Sequence, residues 1–323
     1  MLRHTLLVLF LFASQLTAAQ TKSSDFEALF TVWQNSKNLA SASYGFVATE
    51  VESGKLIFEQ NADLSLIPAS TQKVTTTLTA MAVLGKDFRF ETHLKHDGTL
   101  DSTGTLNGNL YLEGGGDPSL AYPDETQIFD AWYAALKEKG IKKITGKIIG
   151  DARFFDPQIN PGTWTWEDLG NYYGAGVSGL NFHRNQYKIY FKSGAEGTQT
   201  TYLYTKPELP EMTFVNELKA GGRGDNAFIY GSPYTNFRYI RGTITPNRNE
   251  FRVRGSLPDP CAYAASGFKR FLEEKGITVS GDATTYRILK LENKDFPSDR
   301  NKQTLLTLKS EPLTDLVEET NRR

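Results

Sequence analysis

From Thr92 to about Phe296 the apolar residues alternate with polar ones in short runs, and Gly, Asn and Asp separate the runs. The clearest are "THLKHDG", "GTLNGNLYLEGGGDP", "KKITGKIIGD", "QYKIYFKSG" and "NEFRVRGSLP". Alternation puts successive side chains on opposite faces of a strand, and the separating residues are those that turns require. The region 92–296 is therefore expected to be largely β. Two helices break it: one from about Glu125 to Lys139 with Gly140 as its stop, and "PCAYAASGFKRFLEEKG" running to Gly276.

The flanks have a different texture. "SSDFEALFTVWQNSKNL" carries Phe26, Leu29, Phe30 and Trp33 at helical spacing, with Ser24 as a cap three residues before Glu27. "SYGFVATEVESGKLIFEQN" predicts an antiparallel hairpin turning at Ser53 and Gly54. A helix follows from Thr71 with Val74, Leu78, Met81 and Val83 or Leu84 on one face and Gly85 as its stop, and another opens at "PLTDLVEETNRR". The expected organisation is a helix-containing domain, 20–91 and 297–323, split by the β-rich region 92–296, which has room for two subdomains.

The first 19 residues run from Arg3 and His4 through an apolar stretch, Leu6 to Phe12, to the small residues Thr17, Ala18 and Ala19. That order predicts a cleaved secretory signal peptide and an exported, periplasmic protein; the run is too short to span a bilayer. A retained N-terminal anchor is the competing reading. Lys and Arg number 36 against 37 Asp and Glu, a net charge of -1, which gives no footprint for nucleic acid. Cys261 is the only cysteine, so no internal disulfide forms, and a buried small apolar role suits it better than nucleophilic chemistry.

"PASTQKVTTT" carries the chemistry. Serine becomes a useful nucleophile only when a base lies within hydrogen-bond reach and backbone donors meet the developing oxyanion. Residues three apart share a helix face, so Lys73 is placed to serve Ser70, and the free amides of a first helical turn lie close by. The spacing alone is weak evidence. Ser266 and Lys269 repeat it inside a helix, and an ordinary N-cap would equally put a serine at position 70.

The wider sequence resembles the S13 peptidases, penicillin-binding proteins of the D-alanyl-D-alanine carboxypeptidase and endopeptidase class with class C low-molecular-mass organisation. The resemblance runs in order through "LIPASTQKVTTTLTAMAVLGKDFRFET", "GNLYLEGGGDPSL", "ITGKIIGDARFFD", "PGTWTWEDLGNYYGAGVSGLNF", "GSLPDPCAYAASGFKRFLEEKGITVSGD" and "LKSEPLTDLVEETNRR". It implies an α+β multidomain protein whose transpeptidase-like domain, helices against an antiparallel sheet, is split by the β-rich insertion. It implies Ser70 as the nucleophile that forms an acyl-serine with D-Ala-D-Ala stem peptides of peptidoglycan, Lys73 as its general base, and β-lactams as acylating inhibitors. No cofactor or metal is implied. Asp168, closing Trp164-x-Trp166-x-Asp168, would meet the free amine of the peptide's diamino acid; a surface aspartate beside two core tryptophans is the alternative.

The family pattern needs two further elements, S-x-N and K-T-G. Neither follows Ser70 in this sequence, and the chain stops at Arg323 where the S-x-N is expected to begin. The 323 residues thus read as a fragment with a nucleophile and base but an incomplete site. A class A β-lactamase would bring its S-x-N after roughly 60 residues of mostly helix, which this chain does not. A non-catalytic peptidoglycan-binding protein or pseudoenzyme is the competing function.

Other signals carry less. His93 and His96 form H-x-x-H without a third ligand nearby, and His183 reads as structural. No serine sits in a G-x-S-x-G elbow. "EGGGDP" lacks the Lys-Ser/Thr of a phosphate loop, and Arg223-Gly224-Asp225 fits a polar glycine-rich loop.

Overall fold

In the computed structural model, residues 23–39, 41–292 and 299–322 are described. The expected leader, 1–19, and the expected boundary at 296/297 lie partly or wholly outside them. The chain divides into two compact units, 1–78 and 79–323, with the division inside the helix Gln72–Leu84.

The first unit begins with the helix Ser23–Gln34, so Ser24 falls within the helix instead of capping it. The hairpin pairs Phe46–Thr49 with Leu56–Gln60 antiparallel, and Gly54, at φ +70°, takes the left-handed turn position that side-chain-bearing residues avoid. Phe30 from the helix meets Trp33, Tyr44, Phe46 and Phe58 at ring-centroid distances of 5.1, 5.7, 5.5 and 5.2 Å. Offset and tilted aromatic contacts of this kind hold the helix on the hairpin.

In the second unit the alternating runs form strands, but their pairing is mixed. Ala283–Thr285, Ile148–Asp151 and Leu110–Gly114 lie parallel in one sheet, and Glu91–His96 and Gln303–Lys309 extend it antiparallel. Parallel neighbours need a long crossover, supplied here by the helices Thr126–Glu138 and Pro260–Glu274. Those helices meet through rings: Trp132 lies 5.0 Å from Phe268, and Phe129 5.4 Å from Phe271. Asp259 caps the second helix, accepting from the Ala262 amide at 2.9 Å, and Pro260 occupies its first turn. Gly140 and Gly276, at φ +76° and +82°, end the two helices as expected.

Gln186–Ser193 pairs antiparallel with both Thr201–Lys206 and Arg248–Ser256. Phe237–Ile244 pairs parallel with Thr213–Asn216 and antiparallel with Asp225–Tyr230. The Arg223-Gly224-Asp225 stretch is the turn leading into that last strand, with Gly224 at φ +82°. Cys261 is buried, and burial pushes its thiol well up, away from thiolate chemistry.

Candidate active site

Ser70 lies in a single 3-10 turn, Ala69–Thr71, that runs directly into the helix Gln72–Leu84. The turn is set by two donations to Pro68 O, one from the Thr71 amide at 3.1 Å and one from its hydroxyl. Ala69 is held at φ +47°, a left-handed conformation that costs a non-glycine residue about 1–2 kcal/mol. Strain of this sort persists only where the surroundings fix it, and it lies beside the candidate nucleophile.

The N-cap alternative for Ser70 finds no support, because Pro68 occupies the cap and no side-chain bond closes it. Ser70 is exposed and Lys73 half-buried one turn further on the same face. Among the described residues neither side chain has a hydrogen bond or ion pair. The lysine is thus neither pinned to a carboxylate nor sealed from water.

Val74 and Leu78, which share a face of the helix, are 51% and 64% exposed, and Thr77 is its one buried residue among those described. Periodicity tells which residues share a face and not what covers that face. The stop is as expected: Gly85, at φ +85°, donates its amide to Met81 O at 3.0 Å.

Asp168 belongs to the second unit, on the one-turn helix Trp166–Leu169. Its carboxylate accepts from the Thr165 hydroxyl at 2.7 Å. Trp164 and Trp166 are 40% and 57% exposed, which overturns the reading that places core tryptophans beside it. Trp166 leans on Tyr230 at 6.2 Å. Burial and the nearby Asp168 charge push the Tyr173 phenol up. Asp168 thus lies in a segment that carries two exposed tryptophans.

The remaining candidates are structural. His93 and His96 lie three apart on one strand and so face opposite sides; His93 bonds Thr307 Oγ1 at 2.9 Å and His96 bonds Gly98 O at 3.1 Å. His183 is buried against Glu125 at 2.6 Å. Ser266 donates to Tyr263 O, and Lys269 pairs with Glu273 at 2.6 Å. Gly116, in "EGGGDP", sits at φ +89° in a turn that closes on Gly179 O. No group of three or more His, Cys, Asp or Glu residues among those described is arranged to hold a metal. Likewise, no described helix is long and apolar enough to cross a membrane.

The D-alanyl-D-alanine carboxypeptidase DacB of Haemophilus influenzae is 27% identical over 239 residues, 73% of this chain and 49% of its own. The D-alanyl-D-alanine carboxypeptidase of Actinomadura sp. strain R39 is 27% identical over 253 residues, 76% of this chain and 46% of its own. The chain therefore spans about half the length of these curated relatives. The crystal structure of penicillin binding protein 4 (dacB) from Haemophilus influenzae superposes with a TM-score of 0.67 at 25% identity, covering 84% of this chain and 57% of that one. A second crystal structure of that protein, complexed with a novel β-lactam, matches at 22% identity with a TM-score of 0.61, covering 86% and 56%. A family model described as "D-Ala-D-Ala carboxypeptidase 3 (S13) family" matches residues 27–323, and the chain belongs to that family.

Proposed function

We propose that Ser70 is the nucleophile and Lys73 the general base of a serine-type D-Ala-D-Ala carboxypeptidase or endopeptidase. Its substrates are peptidoglycan stem peptides in the periplasm, reached through the cleaved leader, and β-lactams acylate the same serine. The observation that carries this is the turn at Ala69–Thr71, which sets an exposed serine at a helix start with an uncommitted lysine one turn behind it. Family membership across residues 27–323 supports the same assignment. Because the chain spans about half of its relatives, the activity is proposed for the whole protein that carries these residues, with S-x-N and K-T-G elements completing the site.

The catalytic part is proposed as 20–91 with 297–323, and 92–296 as the insertion. The bonds joining 86–91 to 309–314 support that grouping: Ser310 N donates to Phe90 O at 2.9 Å and Leu313 N to Phe88 O at 2.8 Å. The test of the nucleophile is adduct mapping. After the whole protein is treated with a β-lactam and digested with trypsin, the acyl mass should fall on peptide 56–73, at Ser70. An adduct on any other serine, or a nucleophile-free loss of the drug, removes Ser70 from the role.

Asp168 is proposed to hold the free amine of the substrate's diamino acid. Asp168→Asn should raise KM roughly 10-fold for a stem peptide with that amine free, the loss of one charge-assisted contact. For the N-acetylated peptide KM should not change. Equal effects on the two peptides would show that the residue only supports its loop.

A further inference from the structure

The parallel strands Ile148–Asp151 and Ala283–Thr285 end, at their carboxyl side, on a cavity of about 460 Å³. Open α/β sheets accept ligands outside the carboxyl ends of parallel strands, and a cavity of roughly 300–1,000 Å³ is the size of a small-molecule site. The helix Pro260–Glu274 comes down beside it because Gly150 has no side chain: a Cβ there would lie 2.6 Å from Cys261 Sγ. Phe155, Ile159, Tyr234 and Tyr286 give the cavity apolar walls.

Its charged groups, Arg153, Asp156, Asp259, Arg287 and Lys290, are unequally committed; Asp156, exposed at the mouth, accepts the Gln158 amide at 2.8 Å. Arg153 is already engaged, bonding Asp151 at 2.7 and 2.9 Å and Asp299 at 2.9 and 3.1 Å. Asp259 accepts from the Ala262 amide through one oxygen and from Arg287 Nη2, at 2.9 Å, through the other. Arg287 has donors to spare: its Nε is buried with no hydrogen-bond partner among the described residues. A buried donor without an acceptor is costly, so a ligand oxygen that reached it would remove that cost. Lys290, exposed on the rim, has no ion pair among the described residues.

The wall beside Arg287 is also strained. Tyr234 is held at φ +62°, with its amide on Pro258 O at 2.9 Å and its hydroxyl donating to Pro157 O, and its ring covers the guanidinium at 3.8 Å. Backbone outliers fixed by their surroundings recur at ligand clamps. A flat cation backed by an aromatic ring is a preferred seat for a carboxylate.

We propose that this cavity binds a small carboxylate with an apolar body, its anionic end on Arg287 with Lys290 at the rim and its hydrocarbon against Phe155, Tyr234 and Tyr286. The site uses none of Ser70, Lys73 or Asp168 and does not rest on their assignment.

The test is calorimetric titration of the chain with three carboxylates of increasing bulk: 4-methylpentanoate, 3-phenylpropionate and indole-3-acetate. At least one should saturate a single site, and its primary amide should bind roughly 10-fold or more weakly, since it lacks the charge that Arg287 receives. Arg287→Gln should weaken the acid about 10-fold and leave the amide unchanged, with circular dichroism checking the fold. Lys290→Gln, on the exposed rim and harmless to folding, should weaken the acid by about 3-fold. Acid and amide of equal affinity would overturn the proposal in favour of an indiscriminate apolar hole. So would the absence of saturation by all three acids below ~10 mM.

Discussion

Lys73→Ala is expected to slow β-lactam acylation of the whole protein by roughly 10²–10⁴-fold, the usual worth of a positioned general base. The expectation rests on two features of the segment. Lys73 follows Ser70 by one turn on the same helix face, and neither side chain has a competing hydrogen bond or ion pair among the described residues. An amine held on a carboxylate could not turn to Ser70, whereas one without a competing partner is free to reach its hydroxyl. Lys73→Arg should be no better than alanine, because a guanidinium restores the positive charge but accepts no proton. The measurement is the second-order acylation rate with a fluorescent penicillin. A rate for Lys73→Ala within about 3-fold of the parent, or rescue by arginine, would assign Lys73 an electrostatic or structural part and leave the base elsewhere.

Much of this was legible because local rules decide it. The stops at Gly85, Gly140 and Gly276 are backbone requirements written in single residues, and each takes a positive φ. The strands Gln186–Ser193 and Arg248–Ser256 follow from alternation, and the hairpin around Gly54 follows from its turn. Ser70 was located to within one turn, although the helix proper starts at Gln72 and the serine sits on the 3-10 turn before it. What escaped depends on partners far away in the chain. Alternation does not distinguish parallel from antiparallel pairing, so the crossover units around Ile148–Asp151 were invisible.

The helix Tyr286–Leu291 was missed because six residues carry less than two turns of periodicity. Exposure of Trp164 and Trp166 was missed because an aromatic side chain is usually covered. The charged cluster around Asp151 joins residues about 150 positions apart. Arg153 and Lys302 both reach Asp151 and Asp299, and Lys302 lies over the Tyr111 ring at 4.3 Å. Nothing in the local pattern of either segment announces such a partner. The Arg287 cavity was missed for the same reason, since its wall is assembled from strand ends separated by more than a hundred residues.

Asn185→Ala should cost the 79–323 unit about 3–5 kcal/mol, from buried partners left unpaired and from an unfavourable backbone. His183, Arg184 and Asn185 occupy consecutive left-handed positions, at φ +53°, +57° and +56°, an arrangement that no single residue's preference explains. Asn185 holds it from within. Its Oδ1 accepts the Phe182 amide at 2.9 Å, and its Nδ2 donates to Gly176 O at 2.7 Å and to Asn181 Oδ1 at 2.6 Å. Asn181 passes the restraint on, taking the Ser178 amide at 2.9 Å and donating to Gly116 O and Asp117 O. Because the turn is fixed, Arg184 projects onto the Tyr122 ring at 3.5 Å and pairs with Glu319 of the helix Leu313–Arg322 at 2.5 Å. Alanine removes all three bonds and tolerates the left-handed region poorly. Asn185→Gly removes the same bonds but not the conformational freedom, so it should recover about 1 kcal/mol of the loss. Denaturant unfolding of the three proteins separates the two contributions. An alanine variant within about 1 kcal/mol of the parent would mean that strand pairing at Gln186–Ser193 holds the turn without its asparagine.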